Sequence, residues 1–130
     1  MKITIPLPPI TKKNSQRIVQ NRRTGRTIII PSPQYQKYEK DCERLISSLS
    51  SPICEASNVQ MVYYMPTRRK VDLVNLQEAT LDILVHCGIL DDDNRNIVYT
   101  MDGSRVLYDK DNPRTEITIT PVNDYEVWKK

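Results

Sequence analysis

Phenylalanine is absent from this 130-residue chain, glycine occurs three times and histidine once. So little glycine leaves no Gly-rich phosphate loop, and one histidine excludes a multi-histidine metal centre. That histidine, His86, falls near the end of an apolar-periodic stretch, where a cation or a backbone contact is favoured, so a structural role is expected. Three cysteines, Cys42, Cys54 and Cys87, are odd in number and far apart. Neither a disulfide framework nor a zinc knuckle follows from them, and reduced, mostly buried thiols are expected. No apolar run exceeds five residues, against the ~20 needed to span a bilayer. No charged opening followed by an apolar stretch suggests a signal peptide. Repeats, low-complexity segments and Gly/Ser linkers are missing too. With 38% apolar and 27% charged residues, ordinary soluble usage remains, and a single domain over residues 1–130 is expected.

Charge is present but unevenly placed. Residues 1–38 hold eight Lys or Arg and no acid, whereas residues 39–130 hold the other eleven and all sixteen acids. The net +3 is therefore +8 set against −5. A basic amino-terminal segment suits a polyanion such as nucleic acid, and an acid-rich remainder can house a cation.

Alternation of Ile3, Ile5 and Leu7 predicts a strand over Lys2–Leu7, near a sheet edge because Pro6, Pro8 and Pro9 close it. Residues 10–30 read as a basic loop and ribbon, with Arg17–Gln20 pairing Thr27–Ile30 about Thr24-Gly25. Ser32-Pro33 starts a helix, whose stripe of Tyr35, Tyr38, Cys42, Leu45, Ile46 and Leu49 runs to Ser50-Ser51-Pro52. Asn58–Met65 is a second alternating strand. A second helix spans Leu73–Cys87, with Leu73, Leu76, Thr80, Ile83, Leu84 and Cys87 inward and Gly88 as its C-terminal cap. Ile97–Tyr99 and Arg105–Tyr108 are expected to form a hairpin through Asp102-Gly103. Glu116–Thr120 is a last strand, and 121–130 is a tail. The order βββαβαβββ implies an α/β or α+β domain, a mixed sheet with two helices packed on it.

Catalytic equipment is limited to carboxylates beside basic loops, with no nucleophile elbow and no Cys/His pair. Asp72 follows Arg68, Arg69 and Lys70 and stands where an extended segment enters a helix. Asp91-Asp92-Asp93 follows the Gly88 cap, and the helix between them is expected to fold the run back near Asp72. Converging carboxylates suit Mg²⁺ or Mn²⁺, which activate water and stabilise a phosphoryl transition state. By residue type alone, three aspartates before Asn94 also describe a solvated turn.

The stretch RRKVDLVNLQEATLDILVHCGILDDDN (68–94) resembles the core signature of the RusA-type Holliday junction resolvases. That signature is a basic run, Asp-x-Asp-Asn-Leu, a helix containing an aspartate, Gly, and an Asp-Asp pair. PLPPITKKNS (6–15) is similar to the family's Pro-Pro-x-x-Asn opening, and KDNPRTEITI (110–119) to the last strand of a phage branch. The resemblance implies a RusA-like fold and a small homodimeric, Mg²⁺-dependent endonuclease of phage or prophage origin. Such an enzyme cuts four-way junctions by paired symmetric nicks in the bacterial cytoplasm. It implies Asp72 and Asp93 as catalytic metal ligands. Asp93 ranks above Asp92 because it matches the second acid of the family's Asp-Asp pair when no gap is placed between the motifs. Successive side chains in an extended loop point oppositely, so both are not expected on one face. Val74 stands where the family has its second aspartate, and Glu78 where it often has a lysine. Glu78, Asp82 or Asp92 is expected to complete the metal shell. Lys12, Lys13, Asn14, Arg17, Arg68, Arg69 and Lys70 are the expected phosphate contacts, which position DNA without reading bases. A branched-DNA-binding protein that has lost cleavage, with Val74 and Glu78 as the lesion, is the alternative. A single-strand binder is less well served, since the tyrosines do not gather in the basic loop.

Overall fold

Strand β1 (Lys2–Ile5) is followed by a ribbon of β2 (Gln16–Gln20) and β3 (Thr27–Pro31), then helix α1 (Pro33–Leu45) and strand β4 (Ser57–Met65). Helix α2 (Leu73–His86) leads to β5 (Val98–Thr100), β6 (Arg105–Tyr108) and β7 (Arg114–Pro121). The computed structural model describes residues 1–12 and 16–122, with 16–19 and 28–31 described by their backbone only. Lys13 and Asn14 lie outside the described residues, as does most of the expected tail. The mixed sheet with two helices agrees with the expected α+β class. β7 pairs antiparallel with β1 and with β4, and β4 carries β5 and β6 in parallel on its other side. β1 is thus an edge strand, as its prolines require. A parallel return needs a crossover, and α2 is that crossover.

Three local expectations are corrected. β5 and β6 do not form a hairpin but lie end to end along β4, pairing with its residues 57–58 and 62–65. Gly103 does turn the chain, at φ +85°, yet β4 holds the connection in place. The Asn58 Oδ1 accepts from the Asp102 N–H at 2.7 Å and from Thr100 Oγ1 at 2.6 Å. Ser104 Oγ accepts from the Met61 N–H at 3.0 Å. Helix α1 ends at Leu45, which is 49% exposed rather than part of the stripe, because Ile46 is already extended. The serines at 47, 48, 50 and 51 offer the backbone competing hydrogen bonds and do not sustain a helix. Finally β7 runs through Pro121, and the Val122 N–H bonds Ala56 O at 3.0 Å, so the chain is paired beyond where the tail was expected to begin.

The helix caps follow from local chemistry. Ser32 Oγ accepts from the Tyr35 N–H at 3.2 Å, and Pro33 opens α1. At the end of α2, Gly88 takes φ +76°, Ile89 N–H reaches Leu84 O at 2.9 Å, and Gly88 N–H reaches Val85 O at 3.1 Å. This is a Schellman closure. Leu76, Ala79, Ile83 and Leu84 of α2 pack with Tyr35 and Cys42 of α1 over Ile5, Val59, Met61, Tyr63, Ile117 and Ile119. Thr80, inside that apolar stripe, donates to Leu76 O at 2.9 Å and accepts from the Tyr63 hydroxyl at 2.7 Å, so its burial leaves no polar atom unpaired.

Candidate functional site

The carboxyl ends of the parallel strands β4 and β6 lie beside the start of α2. Asp72 holds the N-cap position with extended backbone and no side-chain cap bond. Its Oδ2 instead accepts from Asn75 Nδ2 at 3.3 Å, and the carboxylate is exposed. The guanidinium of Arg68 lies 4.3 Å from the centre of the Tyr108 ring, within cation–π range. Arg69 and Lys70 line a cleft of about 300 Å³ whose other wall includes Pro9 and Thr11. The amino-terminal segment and the 68–70 loop, far apart in sequence, thus share one cleft. Val74, the second residue of the helix, is 70% exposed.

The acidic run lies at the opposite end of α2. Fourteen helical residues separate Asp72 from it, about 21 Å of axis. The run is held there by a bridge between Ile53 and Leu90, by the Asp91 N–H on Ile53 O at 3.0 Å, and by the Ser57 N–H on Ile97 O at 2.8 Å. The expected fold-back toward Asp72 is therefore not what the structure has. Asp92 accepts from the Asp93 N–H at 2.8 Å and from Asn94 Nδ2 at 3.0 Å, which engages both its oxygens and lowers its pKa. Slight desolvation of the exposed Asp93, then the Asp92 carboxylate and more weakly Asp82, raise its pKa. Asp82 in turn bonds Lys12 at 3.3 Å, each side chain a little over one third exposed.

Of the expected site residues, then, Lys12, Asp82, Asp92 and Asp93 gather at the end of α2, while Asp72 and the 68–70 cations gather at its start. Glu78 is exposed on the face of α2 turned from the core and forms no ion pair among the described residues. The backbone of Arg17 pairs Ile30 in the ribbon. A further group escaped the sequence reading. His86 contacts Glu43 Oε1 and lies 3.8 Å from Glu39 Oε1, and its pKa is raised, chiefly by the bond to Glu43. Glu39 and Glu43 have the i, i+4 spacing of one helix face, which sequence shows, but their meeting with His86 is a contact between helices.

Comparison with known proteins adds a second line. Residues 6–120 match the family profile described as endodeoxyribonuclease RusA. The chain is similar to the crossover junction endodeoxyribonuclease RusA of Enterobacteria phage 82, at 33% identity over 124 residues, 94% of this chain and 95% of the relative. The protein of that name from Escherichia coli K12 is 32% identical over 124 residues with the same coverage. That of Enterobacteria phage HK97 is 34% identical over 76 residues, 57% of this chain and 62% of the relative.

Proposed function

The chain belongs to the RusA family of endodeoxyribonucleases, and from that membership we propose that it resolves four-way DNA junctions by paired symmetric nicks, as a Mg²⁺-dependent homodimer. One observation carries the reading: Asp72 and the Asp92-Asp93 pair occupy opposite ends of α2. In a single copy the body of the helix stands between the two. Two copies related by a two-fold axis, with their α2 helices antiparallel, bring Asp72 of one protomer toward Asp93 of its partner, twice over. Two equivalent sites on a two-fold axis also suit a junction cut at symmetric positions on opposed strands.

The donor set fits a hard divalent cation. Exposed carboxylate oxygens at Asp72 and Asp93 are the ligands Mg²⁺ or Mn²⁺ prefers. Asp93 is the better donor of its pair, because both Asp92 oxygens are already engaged. Asp82 is held by Lys12, and Glu78 lies ~9 Å along the axis from Asp72, so both rank behind Asn75 for completing the shell. When bound, the ion supplies Lewis-acid activation of water and neutralises charge on the phosphate. The protein's own part is positional. Arg69 and Lys70 in their cleft, with Arg68 braced on Tyr108, hold the phosphates on either side of the scissile bond. Hydrolysis breaks one P–O bond and adds water across it. The proposed setting is the cytoplasm of a bacterial host; among the described residues no helix is long and apolar enough to cross a membrane.

Val74, strongly exposed where the family has a carboxylate, favours the second reading, a junction binder that does not cut. Incubation of a synthetic four-way junction with and without Mg²⁺ or Mn²⁺ separates the two. Symmetric nicks in metal, lost in Asp72→Asn and Asp93→Asn with binding kept, support the nuclease. Tight binding with no nicks in either metal supports the second reading.

A further inference from the structure

We propose that Glu39, Glu43 and His86 form a binding site for a borderline divalent cation of the Zn²⁺ class, which joins α1 to the end of α2 and is independent of Asp72 and Asp93. The three donors come from two helices. Glu39 and Glu43 stand four residues apart on α1, a spacing at which like charges repel unless a cation lies between them. His86, the last residue of α2, presents Nε2 to both carboxylates, in contact with Glu43 Oε1 and 3.8 Å from Glu39 Oε1. One ligand atom from each residue falls within 4.8 Å of the other two. Ligands on a tetrahedral Zn²⁺ with bonds of ~2.0–2.1 Å stand about 3.3 Å apart, so modest rotations of part-exposed side chains close the site. An imidazole with two carboxylates is a donor set for Zn²⁺ or Co²⁺ rather than for Mg²⁺, which prefers oxygen ligands.

The site is readable because His86 is the chain's one histidine, so its ring gives a single set of NMR signals. The full-length protein is titrated with Zn²⁺ alone and, separately, with Mg²⁺ alone. Saturable movement of the His86 ring signals in Zn²⁺ at one ion per chain, with none in Mg²⁺, is the expected result. The same titration of the Asp72→Asn, Asp93→Asn double variant is expected to give the same affinity, which keeps this outcome separate from that of the nuclease reading. Glu43→Gln and Glu39→Gln are each expected to weaken Zn²⁺ at least about tenfold while leaving the folded spectrum intact. Ring signals unmoved by Zn²⁺, or moved with equal affinity in both glutamate variants, would overturn the proposal.

Discussion

Asp93 illustrates how a side chain suited to hold a cation burdens the protein without one. Slight desolvation, Asp92 and Asp82 all oppose its negative charge, so the folded chain holds the Asp93 proton more tightly than the unfolded chain does. Replacing it by Asn removes that repulsion. Asp93→Asn is therefore expected to melt at or slightly above the wild-type temperature in EDTA, while losing nicking; a clear drop in Tm would mean that Asp93 serves the fold instead. Sequence showed the three aspartates and, through the family pattern, ranked the third above the second. It did not show the contacts that set the two apart. The engagement of Asp92 with the Asp93 N–H and Asn94 is local, whereas the approach of Asp82 from α2 is tertiary. Lys12 is the converse case: in the sequence it is one of many cations, and in the structure an acid already pairs with it.

At the level of elements, punctuation residues were legible and pairings were not. Ser32-Pro33 and Gly88 mark helix ends by mechanisms that need only a few neighbours. Asp102-Gly103 marks a turn equally well, but whether the strands beside it pair with each other depends on β4, whose Asn58 side chain and Met61 N–H hold the connection. The end of α1 was misjudged for a related reason, since Ile46 and Leu49 do reach apolar surroundings, only not as helix. Gly88 carries the most consequence for function, because it turns the chain from α2 toward the acidic run. A Cβ there would sit 3.3 Å from that of Ser48 in a left-handed conformation. Gly88→Ala is expected to cost about 1 kcal/mol or somewhat more, read as a lower denaturation midpoint, and to reduce nicking beyond the loss of folded protein. Unchanged stability would show that the Schellman closure is dispensable.

The scale of the whole molecule is where sequence was least informative, because a symmetric assembly leaves no local signature. The basic loops at 10–26 and 67–70 were each visible, and the cleft that Pro9 and Thr11 share with Arg69 and Lys70 came from the fold. If that cleft holds phosphates, junction affinity falls with salt at a slope of roughly −0.9 per phosphate contacted. Replacing Arg69 and Lys70 by Ala then flattens the slope by about two. Lys12→Ala flattens it less, because Asp82 already neutralises Lys12. Equal slopes in all three proteins would take the cleft out of the interface.

The central claim is that Asp72 of one protomer works with Asp93 of the other, in a dimer of about 30 kDa, twice 15.1 kDa. It is tested most directly by mixing two inactive proteins. Asp72→Asn and Asp93→Asn are unfolded together, refolded together and given a junction in Mg²⁺. Each mixed dimer then has one site lacking both carboxylates and one site with both. With random pairing about half of the dimers are mixed, so nicking is expected to return at about a quarter of the wild-type number of sites, on one strand of each junction. If each site were built within one chain, every site in the mixture would lack one carboxylate. A mixture as inactive as its parents, beside wild-type protein that nicks after the same refolding, would contradict the shared site.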